Sequence, residues 1–363
     1  MPWRTIFHWG PLSALFIILF LFVTVFYNVL IFFPPVSLGY LLHILSVIVE
    51  TELIVYYFLS ASIVGPGYTQ LNWKPKDYKD AKFLQFCKIC DGYKVPRSHH
   101  CRKCQRCVLK MDHHCPWINT CVGHDNHYYF VVFLFLVPLF TFHALAVLVF
   151  GCYDIMFTQS FITRAAIFDY TITLFICSLM GSGICIGCIA TVGFLFVTQF
   201  IAILRNQTGI EDWIVHKAKA RRQTSGEAYF YPYDLGKYKN FMQWLHPGDG
   251  ITWNVRQGCN QYSLTMEQLE QKQLKRDRSV EFEVIKYYNG ACCPITQGIR
   301  VLWAAPWTDE NRIPINIGDI FIASRGRKHW IYGDRIVDGK TLARGWVLRN
   351  CVRKCQAFDK KNY

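Results

Sequence analysis

Four stretches of this 363-residue chain are long and apolar enough to cross a bilayer as helices, and that fixes the fold class before anything else. A hydrocarbon core takes about 20 helical residues. Inside it every backbone polar group must be satisfied by the chain itself, which restricts spanning structures to helices and closed barrels. The first stretch runs from about Pro11 to Phe33, carries no charge and stops at Pro34-Pro35. The second runs from about Leu38 to Val64 and stops at Gly65-Pro66-Gly67. The third runs from about Tyr128 to Phe150, and the fourth from about Ile167 to Leu204, longer than a bilayer needs. The first is too long for a signal peptide and lacks a small-residue cleavage site, so it reads as a retained helix. The expectation is an α-helical polytopic membrane protein with four transmembrane helices. A composition of 52% hydrophobic and 18% charged residues agrees with it.

Charge sets the orientation. Asn72 to Lys110 carries eleven Lys and Arg, whereas Phe33–Leu38 has none and Gly151–Ala166 only Arg164. The positive-inside rule puts both termini and the segment after the second span in the cytosol. The net charge of +14 reflects this topology first and also suits anionic headgroups or a polyphosphate ligand. Four ionisable residues fall inside the second and third spans: His43, Glu50, Glu52 and His143. No motif frames them, and they read as groups near an interface or paired between helices.

Beyond Leu204 the chain turns soluble. Residues 205–250 mix aromatic and basic residues, as juxtamembrane segments do. Residues 251–280 are polar and read as a linker or short helix. From about Glu281 to Val352, short β-branched and aromatic runs alternate with Gly turns. Val284–Tyr288, Ile299–Ala304, Asp319–Ser324, His329–Tyr332 and Trp346–Leu348 are predicted strands of a small all-β domain. The expected organisation is therefore 1–66 with helices one and two, 67–127 cysteine-rich, 128–204 with helices three and four, 205–280 juxtamembrane, 281–352 all-β, and a tail at 353–363.

Seven of the sixteen cysteines lie between Cys87 and Cys121, in Cys-x-x-Cys spacings with histidines among them. Such clustering points to zinc in a reducing compartment rather than to a disulfide framework. Seven cysteines with His100 and His114 make nine candidate ligands, and two closed tetrahedral sites need eight. One cysteine is left beside a histidine and an aspartate, which is what nucleophilic catalysis requires. Spacing alone leaves a purely structural zinc module equally open, and it does not say which ligands share an ion. Flanking spans and the absence of a recognition helix argue against nucleic acid.

Residues 87–130 closely resemble the cysteine-rich domain of the DHHC-type protein S-acyltransferases. Lys94, Pro96-Arg97, Asp112-His113-His114-Cys115, Pro116-Trp117, Asn119, Cys121-Val122-Gly123, Asn126 and Phe130 carry the likeness. The resemblance implies that Cys115 is the acylated nucleophile, His113 its base and Asp112 the residue that orients the base. It implies one structural zinc on Cys87, Cys90, His100 and Cys107, and a second on Cys101, Cys104, His114 and Cys121. His99, His124 and His127 are left as polar loop residues. After the fourth span, Asn206-Gln207-Thr208-Gly209-Ile210-Glu211 resembles the family's Asn-x-Thr-Thr-x-Glu motif with Gly209 for the second Thr, and implies that Thr208 and Glu211 brace the site. A helix end at Asn-x-Thr-Gly is the plainer reading. Tyr231-Pro-Tyr-Asp-Leu-Gly-x3-Asn240 resembles a C-terminal family motif in which Asn240 packs structurally.

Residues 281–352 resemble a divergent SH3 domain through Gly318-Asp319-Ile320, Trp330-x-Tyr332-Gly333 and Gly345-Trp346-Val347-x2-Asn350-x-Val352. Leu348 and Cys351 replace the Pro and Tyr that line the groove for Pro-rich ligands, so a barrel that packs or dimerises is the competing reading. Adjacent Cys292 and Cys293 are candidates for regulatory acylation, with inert thiols as the alternative. Lys360 and Lys361, fourth and third from the end, resemble a dilysine retrieval signal. Within its family the chain is most similar to the SH3-carrying member of the endoplasmic reticulum. The expected enzyme is a protein-cysteine S-palmitoyltransferase of that membrane, moving a long-chain acyl group from acyl-CoA through Cys115. Its expected partners are acyl-CoA, membrane protein substrates with cytosolic cysteines, the lipid bilayer and, as in some family members, an accessory subunit, with no nucleic acid. A channel or transporter with a zinc-bearing loop, and a membrane-tethered zinc/SH3 adaptor without catalysis, are the alternatives.

Overall fold

The computed structural model describes residues 5–157, 168–223, 226–291, 298–308 and 310–355. Cys292, Cys293, Lys360 and Lys361 lie outside the described residues. The four apolar stretches form helices α1 (Trp9–Phe32), α2 (Leu38–Ile63), α3 (His127–Phe157) and α4 (Phe168–Leu204). All four are long and apolar enough to cross a membrane, which makes the chain a multi-pass membrane protein. His8 caps α1 by accepting from the Gly10 N–H, and Ser37 caps α2 by accepting from the Tyr40 N–H at 3.2 Å.

Leu21, Val25, Val29, Val47, Ile54, Phe140, Ala144, Leu148 and Cys185 form one buried cluster between the helices. Lipid tails are as apolar as these side chains, so polar and small residues add the specificity. Asn28 donates to Thr24 O and Ser178 Oγ, at 2.8 and 2.9 Å. Gly151 makes room for it: a Cβ there would lie 2.0 Å from Asn28 Oδ1. His43 and His143 share a hydrogen bond of 2.9 Å, and His143 Nδ1 meets Glu50 Oε2 at 2.9 Å. His43, Glu50 and His143 thus pair between α2 and α3, as expected.

Between α2 and α3 the chain folds into three short antiparallel hairpins. They are β1–β2 (Phe86–Cys87, Gly92–Tyr93), β3–β4 (His99–Cys101, Arg106–Val108) and β5–β6 (His113–Cys115, Thr120–Val122). Asp91 and Gln105, each just after the second Cys of a Cys-x-x-Cys, take left-handed backbone with φ of 49° and 55°. After α4 come α5 (Gly209–Arg222), α6 (Lys237–Leu245) and α7 (Ser263–Asp277). Residues 251–267 do more than link: Trp253 and Leu264 join Ile214, Val215 and Tyr233 in a buried cluster. The first compact unit runs to Glu267 and the second begins at Gln268.

The second unit is built on strands β7 (Val280–Val284), β8 (Tyr288–Asn289), β9 (Pro314–Ile315), β10 (Ile320–Gly326), β11 (Trp330–Val337), β12 (Lys340–Leu348) and β13 (Val352–Lys354). Five of them form an antiparallel sheet in the order β12-β11-β10-β7-β13, and β8 pairs with β9. Asp338-Gly339 turns β11 into β12 with φ of 50° and 72°, the Asp-Gly signature of a tight hairpin. Trp330, Phe321, Ile315, Val347 and Leu348 are at the centre of the core. Two expectations need correcting. Ile299–Ala304 is not a strand but one turn of helix, α8 (Ile299–Trp303), between Gly298 and Pro306. That turn packs Val301 onto the core and lets its carbonyl accept from the Trp330 indole, so tertiary contact overrides β-branched composition. The expected Val284–Tyr288 strand breaks at Ile285–Tyr287 into the end of β7 and the start of β8.

Candidate active site

Successive residues of a strand face opposite sides, and that rule sorts the cysteine-rich segment. In β3, His100 and Cys101 are adjacent and go to different clusters. Cys87, Cys90, His100 and Cys107 bring their ligand atoms within 4.8 Å of one another, and so do Cys101, Cys104, His114 and Cys121. Each histidine stands opposite a cysteine of its own cluster, His100 across from Cys107 and His114 across from Cys121. The thiol sulfurs lie 3.5, 3.5 and 3.8 Å from His100 Nδ1, and 3.7, 3.4 and 3.7 Å from His114 Nδ1. Zinc bond lengths of about 2.3 Å to sulfur and about 2.0 Å to nitrogen give a tetrahedral S···N edge of about 3.5 Å, so both donor sets fit that ion.

The same alternation works in β5. His114 turns to the second cluster, and His113 and Cys115 share the other face. His113 Nδ1 meets Asp112 Oδ2 at 2.9 Å, and its ring also interacts with the Cys115 thiol. Burial alone would lower the His113 pKa. The bonds to Asp112 and Cys115 outweigh it and raise it to about 9. Asp112 accepts two further bonds, from Gln199 Nε2 at 2.9 Å and from the Gly209 backbone N–H at 2.6 Å. Burial by itself would raise the Asp112 pKa, but the His113 and Gly209 bonds hold it well below the carboxylate range. Cys115 is buried against Phe58, Ile118, Phe130 and Ile203, with Ala14, Leu15 and Phe196 packed around them. All four membrane helices therefore contribute to the apolar wall behind its sulfur.

The segment after α4 reaches the site through backbone. Thr208 caps α5 in a capping box with Glu211, and Gly209 at the helix N-terminus presents its N–H to Asp112. The bond is a main-chain one, so Gly209 in place of Thr keeps it. Asn206, at a φ of 47° just past α4, is also the helix end that the Asn-x-Thr-Gly pattern suggests. Asn240 Nδ2 donates to Leu204 O and to Asp234 Oδ1.

Several residues had been given no role in the site by sequence reasoning. Arg97 forms a buried bidentate pair with Glu211 at 2.6 and 2.7 Å, donates to Asn206 and stacks over Tyr233 and Trp253. Tyr231 donates to Glu211 at 2.7 Å. This network fastens the cysteine-rich segment to α5, and no local pattern announces a pair 114 positions apart. His127 reaches Asp112 through Gln199, 3.2 Å away, and buried His124 bonds Asp125 and abuts Trp253. His124 keeps its loop position but is buried, and His127 opens α3 instead of lying in a loop. Burial and the nearby Arg97 charge push the Lys110 ammonium down to about 7. Gly10 packs so tightly that a Cβ would lie 2.0 Å from Pro116 O, next to Cys115.

The family profile described as "DHHC palmitoyltransferase" matches residues 80–216. "Palmitoyltransferase ZDHHC6" of Mus musculus is 43% identical over 97% of the chain and 92% of its own length. Its Danio rerio counterpart is 43% identical over 99% and 94%. "Probable protein S-acyltransferase 16" of Arabidopsis thaliana is 29% identical over 55% of the chain and 76% of its own length. The chain belongs to the DHHC palmitoyltransferase family.

Proposed function

We propose that the chain is a protein S-palmitoyltransferase that moves a fatty acyl group from acyl-CoA to cysteines of membrane proteins through a thioester on Cys115. The observation that carries this reading is the split of β5, with ligand His114 on one face and the Asp112–His113–Cys115 array on the other. In the first half-reaction His113 Nε2 takes the Cys115 proton and the thiolate attacks the acyl-CoA carbonyl. The C–S bond to CoA breaks, and CoA leaves as a thiol carrying the proton from His113. In the second, a substrate thiol gives its proton to His113 and attacks the acyl-enzyme. Cys115 then leaves and regains a proton. Asp112 fixes Nδ1 as the donor side of the ring and stabilises the imidazolium. When bound, two zinc ions would hold the hairpins on the Cys87–Cys90–His100–Cys107 and Cys101–Cys104–His114–Cys121 sets, outside the reaction itself.

The apolar wall around Cys115 suits a long acyl tail, at about 0.8 kcal/mol for each CH2 removed from water. Basic loops on the Cys115 side suit the CoA phosphates and a cytosolic site with both termini on that side. We place the enzyme in the endoplasmic reticulum on its likeness to the SH3-carrying member of the family. An SH3-like reading of the second unit is supported by its five-stranded antiparallel sheet. Leu348 and Cys351 are buried in its core, which favours a packing role over a groove for Pro-rich ligands.

The test is incubation of the purified, detergent-solubilised chain with labelled palmitoyl-CoA. Wild type should take up a hydroxylamine-sensitive label, and Cys115→Ala with full metal content should take up none. A labelled variant would overturn the assignment of Cys115.

A further inference from the structure

Glu52 is the one ionisable side chain of α2 that its neighbours leave unanswered. His43 and Glu50 are tied to His143, but among the described residues Glu52 has neither a hydrogen bond nor an ion pair, and its side chain is exposed. It lies 14 residues after Leu38, about 21 Å along a helix rising 1.5 Å per residue, and so deep in the hydrocarbon region. A lone Glu facing lipid there is costly, and in either protonation state it keeps hydrogen-bonding capacity that acyl tails cannot meet.

Its surroundings have the form of a helix-docking groove. Glu52 lines a cavity of about 360 Å³ between α1 and α2, with Phe22, Ile48, Thr51, Val55 and Tyr56. The α2 residues recur at i, i+3, i+4, i+7 and i+8, the spacing of a seam that receives a partner helix. Charge says what kind of helix. None of the four spans carries Lys or Arg. A second copy of this chain could therefore offer Glu52 hydroxyls, amides, histidines or another acid from its spans, but no cationic side chain.

We propose that the α1/α2 groove docks a transmembrane helix of a different protein, which presents Lys or Arg at mid-depth to Glu52. The remaining groove residues supply packing and register, and the ion pair selects the partner.

The full chain in lipid nanodiscs can be titrated with synthetic 24-residue Leu/Ala transmembrane peptides, with association read by energy transfer. One peptide carries a single central Lys and its control carries Leu there. Wild type should bind the Lys peptide about tenfold more tightly, the scale of one interhelical polar contact. Glu52→Leu should remove the preference, and so should Glu52→Gln, which keeps the side chain's size if the Leu variant fails to fold. Thr191→Leu on α4 should leave the preference intact. Equal binding of the two peptides by wild type, or a preference that survives in both Glu52 variants, overturns the proposal. Glu52-dependent self-association of the chain in place of peptide binding also overturns it, in favour of a homodimer.

Discussion

Two parts of this molecule are built from short antiparallel strands, and they hold together by different means. In the second unit, long strands β10, β11 and β12 close over a hydrophobic core that includes Phe321, Trp330 and Val347. In the cysteine-rich segment the strands are two or three residues long, and much of what is buried between them is cysteine. Hairpins that small cannot bury enough apolar area to offset their ordering entropy. Donor clusters take the place of a core there. The same shortness makes the region exact: a two-residue alternation delivers adjacent side chains to a metal cluster and to the reactive face. A core-stabilised sheet can tolerate repacking, whereas a ligand-stabilised hairpin cannot lose a ligand.

The sharpest way to break this contrast is to remove one ligand. Cys90→Ala should lower metal content from two ions per chain to about one and abolish autoacylation. A structural zinc site is worth about 10–16 kcal/mol, far more than any single apolar contact. Elemental analysis and labelled palmitoyl-CoA check it, and two retained ions would remove the metal from the account of this region. The matching cut in the other region is Trp330→Ala, which should destabilise the second unit by about 3–5 kcal/mol and leave metal content unchanged. Denaturant unfolding followed by Trp fluorescence measures the first, and elemental analysis the second.

A third substitution probes what joins the cysteine-rich segment to the rest of its unit. Glu211→Ala leaves the Arg97 charge buried without its partner, which should cost about 3–5 kcal/mol. It also loosens the capping box that aims the Gly209 N–H at Asp112. Thermal unfolding should show the loss, with autoacylation falling even at temperatures where the variant is folded. A normal melting temperature would mean that the network is not structural.

The smallest expected effect concerns protonation. Protonated His113 is favoured in the folded protein, so its contribution to stability is complete below its ordinary value of about 6.5 and is lost as pH rises through about 9. Asp112→Asn removes the charge that outweighs burial, and the His113 pKa should fall. The acid limb of the pH–autoacylation profile, where protonated His113 cannot act as the base, should then move to lower pH. An unmoved limb would mean that the limb does not report His113.

The sequence was most legible where a signal is local or periodic. Pro34-Pro35 and Gly65-Pro66-Gly67 mark the ends of α1 and α2 because they act on their own backbone. The count of nine donors for eight ligand positions exposes a spare cysteine. Ile299–Ala304 misled because β-branched composition is satisfied as well by one helical turn that delivers Val301 to a core. His124 and His127 misled because polarity predicts exposure only where no partner comes from afar.

By itself, then, the sequence determined four membrane helices, a metal-type cysteine cluster and its Asp112–Cys115 run, since apolar length and donor spacing are properties of neighbours along the chain. Tertiary structure decided the rest. It set Gly10 against Pro116, Gln199 and Gly209 on Asp112, Arg97 on Glu211, and left Glu52 open to lipid. Each of these depends on which helix lies beside which, and hydrogen bonds and packing act over a few ångströms of space whatever the distance along the chain.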